Sequence, residues 1–192
     1  MEIRMATVAD SKDILEIYRP YIEETAISFE YEVPGLDEFE ERVSGILKNY
    51  PYLVAEEDGK ILGYSYATRF KVRKAYDHVV EASIYVDREA KGRGIGRALY
   101  TELEKYLLRQ NVFVLYACIT STDRDDDEYL TDDSIIFHGK MGYREIGRHE
   151  KSGYKFGKWY GIIWMEKVIG DRPDVPEPFI PISEIEQESA KK

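Results

Sequence analysis

Residues 81–99, EASIYVDREAKGRGIGRAL, set the frame for the rest of the chain. The first six close a β-rich run from about Val79 to Val86, and Leu99, Leu103, Tyr106 and Leu107 then recur at helical spacing. Between strand and helix lie three alternating glycines, Gly92, Gly94 and Gly96. Glycine lets the backbone turn its amide hydrogens inward, and the helix that follows adds its positive dipole end at the same spot. A loop of this kind suits a phosphate group. Within 88–97, Arg88, Lys91, Arg93 and Arg97 oppose only Glu89, a local charge of +3 on a chain of net charge −10, and that contrast steers anions to the loop. Two other phosphate loops fail on spacing. There is no glycine-lysine-serine/threonine triplet for a P-loop, and position 97 is arginine where a dinucleotide fingerprint needs its third glycine. No acid stands at the ribose-binding distance either, since 117 and 118 are Ala and Cys.

Upstream, Asp58-Gly59 joins two β-rich runs, 52–56 and 61–69, into an antiparallel hairpin. Residues 2–6 read as a short strand. Ile14, Ile17, Tyr18, Tyr21 and Ile22 mark a helix that Pro20 is expected to kink or split. Phe39, Val43, Ile46 and Leu47 mark a second helix, and the tract TAISFEYEVPGL at 25–36 between the two is an aromatic loop. Downstream come a strand at 112–119, a short helix at 134–141, and strands at 143–149 and 159–168. The fold class is therefore α/β of the α+β kind, with one body over 1–168. Four of the seven prolines fall between Pro173 and Pro181, so the tail 169–192 is expected to be extended, loosely draped or disordered. Residues 123–133 hold seven acids and one arginine, a net of −6. That tract reads as a solvated surface loop, and it fails as a calcium loop because its sixth residue is Glu128 and its twelfth Ser134.

Composition narrows the function classes. A chain of 192 residues with 43% hydrophobic residues can bury a sizeable core. Lys plus Arg total 27 against 37 Asp plus Glu, which disfavours nucleic acid and anionic membranes as partners. One cysteine, Cys118, allows no internal disulfide, and His78, His138 and His149 show no metal-ligand spacing, so no metal is expected. No run approaches the roughly 18 apolar residues of a spanning helix. A soluble protein of the reducing cytoplasm is the expectation.

Six tracts come in a recognisable order: TAISFE at 25–30, FKVRKAYD at 70–77, EASIYVD at 81–87, the glycine loop, FHGKMGY at 137–143 and GYKFGKWY at 153–160. Over residues 2–167 the chain resembles the GCN5-related N-acetyltransferases, or GNAT family, and within it the phosphinothricin N-acetyltransferase-like group. The resemblance implies a central, mostly antiparallel mixed sheet, flanked by helices and splayed in its middle, with acetyl-CoA as co-substrate in the splay. It implies that Lys91, Gly92, Arg93, Gly94, Ile95, Gly96 and Arg97 wrap the pyrophosphate, and that Ile84, Tyr85 and Val86 pair with the pantetheine arm. Lys91 departs from the commoner glutamine or arginine but keeps a charge. Thr131 to Ser134 stand where the family has an asparagine, which leaves Ser134 as the cofactor contact there.

Acyl transfer to an amine requires a free-base amine, a polarised thioester carbonyl and a proton for the departing thiolate. Glu81 matches the glutamate that the phosphinothricin-type enzymes use as general base. Backbone amides near Tyr85 and Val86 are candidates for the oxyanion. His138 is the candidate general acid, with a pKa suited to the work, and Tyr143 is the fallback. Cys118, in mid-strand, reads as a buried structural residue without the paired base that a ping-pong route needs, so transfer is expected to be direct, in a ternary complex. Phe29, Glu30, Arg73, Tyr76 and Trp159 fall in tracts that line the family's acceptor pocket. Arg73 can clamp a carboxylate or a tetrahedral oxyacid, which suits phosphinothricin, methionine sulfone or methionine sulfoximine. The resemblance also implies a homodimer whose pockets borrow residues across the interface. Rival readings are an acetyltransferase for a polyamine or a protein N-terminal amine, which the −6 tract suits better, and a non-catalytic acyl-CoA-binding module.

Overall fold

The structure, a computed structural model, describes residues 1–189. In chain order it comprises β1 (Glu2–Met5), α1 (Ser11–Glu23), α2 (Leu36–Leu47), β2 (Tyr52–Glu57), β3 (Lys60–Arg69), β4 (Val79–Val86), α3 (Ile95–Arg109), β5 (Val114–Ser121), α4 (Asp133–Lys140), β6 (Arg144–Lys155), β7 (Lys158–Val168) and α5 (Ile182–Ser189). The strands form one sheet in the order β1-β2-β3-β4-β5-β7-β6. Every neighbouring pair is antiparallel except β4 and β5.

Local chemistry accounts for the turns. Asp58 (φ 52°) and Gly59 (φ 78°) are both left-handed, the backbone of a type I′ hairpin whose twist matches its strands. Phe156 (φ 50°) and Gly157 (φ 74°) do the same between β6 and β7. Pro20 does not split α1. It lies in the last turn, and the helix runs on to Glu23, closed by the Glu24 amide on the Pro20 carbonyl at 3.0 Å. Near a helix end the amide that proline lacks costs a single hydrogen bond.

Two apolar layers sandwich the sheet. On one face α3 buries Leu99, Leu103 and Leu107 against Leu53, Leu115 and Ile163. On the other, α1 and α2 bury Ile14, Ile22 and Val43 against Val54 and Tyr64. Each such side chain contributes roughly 1.5–3 kcal/mol of burial free energy.

Over its described residues, 169–189, the tail corrects the expectation of a loose segment; residues 190–192 lie outside the described residues. Its prolines keep 170–181 irregular, yet the Ile180 amide bonds to the Gln110 carbonyl (3.2 Å) and the Ile182 amide to the Asn49 carbonyl (3.0 Å). Gln110, fully buried, returns its side-chain amide to the carbonyls of Asn49 (2.6 Å) and Ile180 (2.8 Å). Phe179 meets Tyr50 ring to ring, and Ile182 and Ile185 of α5 are buried. Ile182→Ala is therefore expected to cost about 2–5 kcal/mol, measured as a lower urea midpoint with the slope unchanged. A midpoint equal to that of the parent chain would mean that the tail is not docked.

The acidic tract is solvated at six of its seven acids, as expected, and departs from that reading at Asp127. The Asp127 carboxylate is fully buried, accepting from Arg124 Nε (2.8 Å), the Tyr129 amide (3.0 Å) and the Tyr160 hydroxyl (3.0 Å). Burial alone would raise its pKa; these donors outweigh burial and hold it below the ordinary aspartate range.

Candidate functional site

The β4–β5 ladder holds only the pairs Val79–Val114, Val80–Leu115 and Glu81–Tyr116. Beyond them the strands part, although β4 continues to Val86 and β5 to Ser121. The Asp87 amide bonds to the Leu62 carbonyl. Antiparallel alternation therefore aims the backbone groups of Tyr85 and Ser83 at β3, and those of Val86, Ile84 and Ala82 at the opening. The Val86 carbonyl is taken there by the Tyr21 hydroxyl at 2.6 Å. Of the two amides expected to face an oxyanion, Val86 points into the opening and Tyr85 does not.

At the wide end of the opening the glycine loop enters α3. Gly92 (φ 79°) and Gly94 (φ 81°) are left-handed, and Gly94 caps the helix. A Cβ on Gly96 would come within 3.1 Å of the Phe137 ring, so a side chain there would make that ring give way by a few tenths of an ångström. A cleft of about 480 Å³ is lined by Ile84, Tyr85, Val86, Lys91, Gly92, Gly94, Ile95, Gly96, Arg97 and Ser134. Arg93 alone among the expected loop contacts turns away, to Glu57 at 2.5 Å. A narrower extension of about 60 Å³ continues between the parted strands, where Ala82 to Tyr85 face Ala117 to Thr120 and His138.

Glu81 stands at the last paired position before the strands part. Register places it on one sheet face with Ser83, Tyr85, Tyr116, Cys118 and Thr120. Burial raises its pKa, with the charge of Lys71 acting in the opposite direction. Cys118 departs from its expected burial, for it is exposed, on the strand face that borders the narrow extension. Desolvation and the Glu81 carboxylate push its thiol up to about 11, so it is a thiol and not a thiolate at neutral pH.

His138 is buried rather than lying on a helix surface. Its Nδ1 meets the Ser134 carbonyl at 2.7 Å, an acceptor only, so Nδ1 carries the proton. Nε2 then accepts from the Tyr100 hydroxyl at 3.0 Å. Burial lowers the histidine pKa, outweighing the Ser134 bond, and the ring is neutral. The proton at this point of the extension therefore belongs to Tyr100, which sequence reading did not single out. Tyr143 is buried behind it, edge-on to His138.

The acceptor candidates divide. Glu30 accepts from Arg42 (2.8 Å) and Tyr18 (3.1 Å) and borders a second cavity, of about 440 Å³, with Tyr52, Tyr64 and Tyr66. Phe29 packs over Gly153 of the β6–β7 hairpin. Arg73 is exposed and lines neither cleft. Tyr76 leans on Phe70, which meets Tyr116 and Trp164. Trp159, half-exposed, meets Tyr154 at a tilt, ring centroids 5.3 Å apart. Arg73 and Trp159 thus line none of these cavities, whereas Tyr76 connects through Phe70 to Tyr116, the cross-strand partner of Glu81.

Residues 3–164 match the acetyltransferase (GNAT) domain family. The chain belongs to the GNAT acetyltransferase family. This GNAT chain is 32% identical over 185 residues to phosphinothricin N-acetyltransferase of Streptomyces viridochromogenes, covering 96% of each. It is 30% identical to the L-methionine sulfoximine/L-methionine sulfone acetyltransferase of Salmonella typhimurium, covering 86% of this chain and 93% of that one. Its fold superposes with a TM-score of 0.81, at 31% identity, on a GNAT superfamily phosphinothricin acetyltransferase from Sinorhizobium meliloti in complex with AcCoA, covering 94% and 97%. The seven-stranded mixed sheet flanked by helices is the fold that the resemblance implied. No helix among the described residues of this acetyltransferase is long and apolar enough to cross a membrane.

Proposed function

We propose that the chain transfers the acetyl group of acetyl-CoA directly to the primary amine of a small amino-acid-like acceptor, of the phosphinothricin, methionine sulfone or methionine sulfoximine type. The observation that carries this reading is the parting of β4 and β5 immediately after Glu81, with unpaired β4 backbone leading to the glycine loop. The donor set fits the thioester nucleotide. Left-handed glycine amides and the α3 dipole suit a pyrophosphate, Lys91 and Arg97 supply charge, and the Ile84 and Val86 backbone suits a pantetheine amide. Glu81 takes a proton from the acceptor ammonium, and the free amine attacks the thioester carbonyl. The Ile84 amide, which points into the extension, steadies the oxyanion of the tetrahedral adduct; its collapse breaks the C–S bond, and the departing sulfur takes a proton through the Tyr100–His138 pair that the one shed by the new amide nitrogen replaces. The protonated thiol of Cys118 gives no support to a ping-pong route.

The names of the relatives support the acceptor class, and Arg73 supports it through a second copy. An exposed Arg73, three residues after the half-buried Phe70 that meets Tyr76, Tyr116 and Trp164, suits a homodimer in which Arg73, Tyr76 and Trp159 serve the partner's acceptor. A monomer in sedimentation at micromolar concentration would exclude that arrangement. The free thiol and the acyl donor suit the cytoplasm.

The test is thiol release from acetyl-CoA with amino acids, their sulfone and phosphinate analogues, polyamines and peptide amines as acceptors. The amino-acid analogues are expected to lead, with intersecting steady-state patterns, and Cys118→Ala is expected to keep kcat within about threefold. Parallel patterns, or loss of turnover in Cys118→Ala, would replace direct transfer by an acetyl-cysteine route. A preference for polyamines would replace the acceptor.

A further inference from the structure

The last carbonyls of a helix have no partner within it, and one of those of α1 is closed from far along the chain. The Thr25 hydroxyl takes the Tyr21 carbonyl at 2.7 Å. The Ile22 carbonyl is taken at 2.7 Å by the ammonium of Lys155, at the end of β6 and 133 residues away in sequence. The same Nζ donates to the carbonyls of Thr25 (3.0 Å) and Ser28 (2.7 Å). Three acceptors converge on the one side chain with three rotatable N–H donors, and its charge lies at the negative end of the α1 dipole. Lys155 is 3% exposed, an unusual position for a lysine unless its head group is fully engaged.

What Lys155 holds is the loop between α1 and α2. Two more contacts from the same hairpin reach that loop: the Tyr31 hydroxyl donates to the Tyr154 carbonyl, and the Phe29 ring packs over Gly153 so closely that no Cβ fits there. Ile27 of the loop borders both the cofactor cleft and its narrow extension, and its carbonyl accepts from Thr120 at 3.2 Å. Ser28, whose carbonyl is one of the three clasped, bonds through its hydroxyl to Tyr18, and Tyr18 in turn reaches Glu30.

We infer that Lys155 is a positioning residue for acyl transfer: its ammonium clasps the carbonyls of Ile22, Thr25 and Ser28 and so holds the α1–α2 loop as a wall over the parted strands. It touches neither reacting group, and it acts through the placement of Ile27, Phe29 and Glu30. The inference rests on the acetyltransferase reading for its kinetic consequence and not for its structural one. Substituting Lys155→Met keeps the stem and removes all three donors. Hydrogen–deuterium exchange of the amides of 24–31 is expected to rise at least tenfold, whereas exchange in α3 stays as in the parent. In turnover, the acceptor KM is expected to rise at least tenfold and kcat to fall, with the Kd for acetyl-CoA changed less than threefold. Should Lys155→Met fail to fold, Lys155→Gln, which keeps two donors, is measured in the same way and is expected to move in the same direction by less. Unchanged loop exchange, or an unchanged acceptor KM alongside a raised acetyl-CoA Kd, overturns the inference. Parent protein that acetylates no amine refutes the functional reading alone, and loop exchange still decides the clasp.

Discussion

Glu81→Gln is expected to lower kcat/KM by roughly 10²–10⁴-fold, the usual contribution of a positioned general base, with the Kd for acetyl-CoA essentially unchanged. The side chain keeps its size and loses only its basicity. Because the carboxyl lies half-buried where β4 and β5 part, its proton affinity is raised by desolvation, against the opposing charge of Lys71. The direction of the pH effect follows. A base works as the carboxylate, so kcat/KM falls as pH drops through the raised pKa and recovers as pH rises through it. The acid limb of the parent profile should therefore lie above the ordinary glutamate range of about 4.3, and it should vanish in Glu81→Gln while any limb from the acceptor amine remains. A Gln variant with parental turnover would leave the chain an acyl-CoA-binding module or move the base elsewhere.

The second large effect is expected at the glycine loop. Gly94 has φ 81° and caps α3, a conformation that costs an L-residue about 1–2 kcal/mol and a β-branched one more. No heavy atom lies within 4 Å of a Cβ placed there, so Gly94→Val acts through the backbone and leaves the core in place. Turning the loop out of the left-handed region takes its amides off the anion, and acetyl-CoA Kd is expected to rise roughly tenfold or more, tenfold being about 1.4 kcal/mol. Isothermal calorimetry measures this, with circular dichroism confirming an intact fold. Parental affinity would show that the anion is held elsewhere.

The glycine loop that contains Gly94 was legible in the sequence because its signal is local, whereas Glu81 was picked out by the family resemblance and its role is a proposal. A strand, alternating glycines and an apolar helix face lie within thirty residues and fix the centre of the fold. The Asp58-Gly59 hairpin is local in the same sense, whereas Phe156-Gly157 makes the same turn with a residue that carries no turn signal. Tyr100 and Lys155 were invisible for the opposite reason. Tyr100 sits among helix-face residues like any core aromatic, and only the approach of α4 gives its hydroxyl a histidine partner. Lys155 meets its carbonyls across 127 to 133 positions. The tail was misread because its prolines outweighed Ile182 and Ile185, whose helical spacing matters only once Asn49 and Gln110 offer a dock. Asp127 looked like one acid among seven, and its burial depends on Tyr160, 33 residues on. Arg73 was chosen for its chemistry, yet chain geometry leaves it outside its own cleft.

The account turns on the gap between β4 and β5 being the place where the acyl donor lies. A crystal structure of the protein with acetyl-CoA tests that directly. Pyrophosphate oxygens are predicted within about 2.7–3.2 Å of the backbone amides of residues 92–97, and the thioester between the Ala82–Tyr85 and Ala117–Thr120 segments, with its carbonyl oxygen toward the Ile84 amide. Nucleotide bound at another surface, or crystals grown in millimolar acetyl-CoA whose gap is closed by side chains, would contradict it.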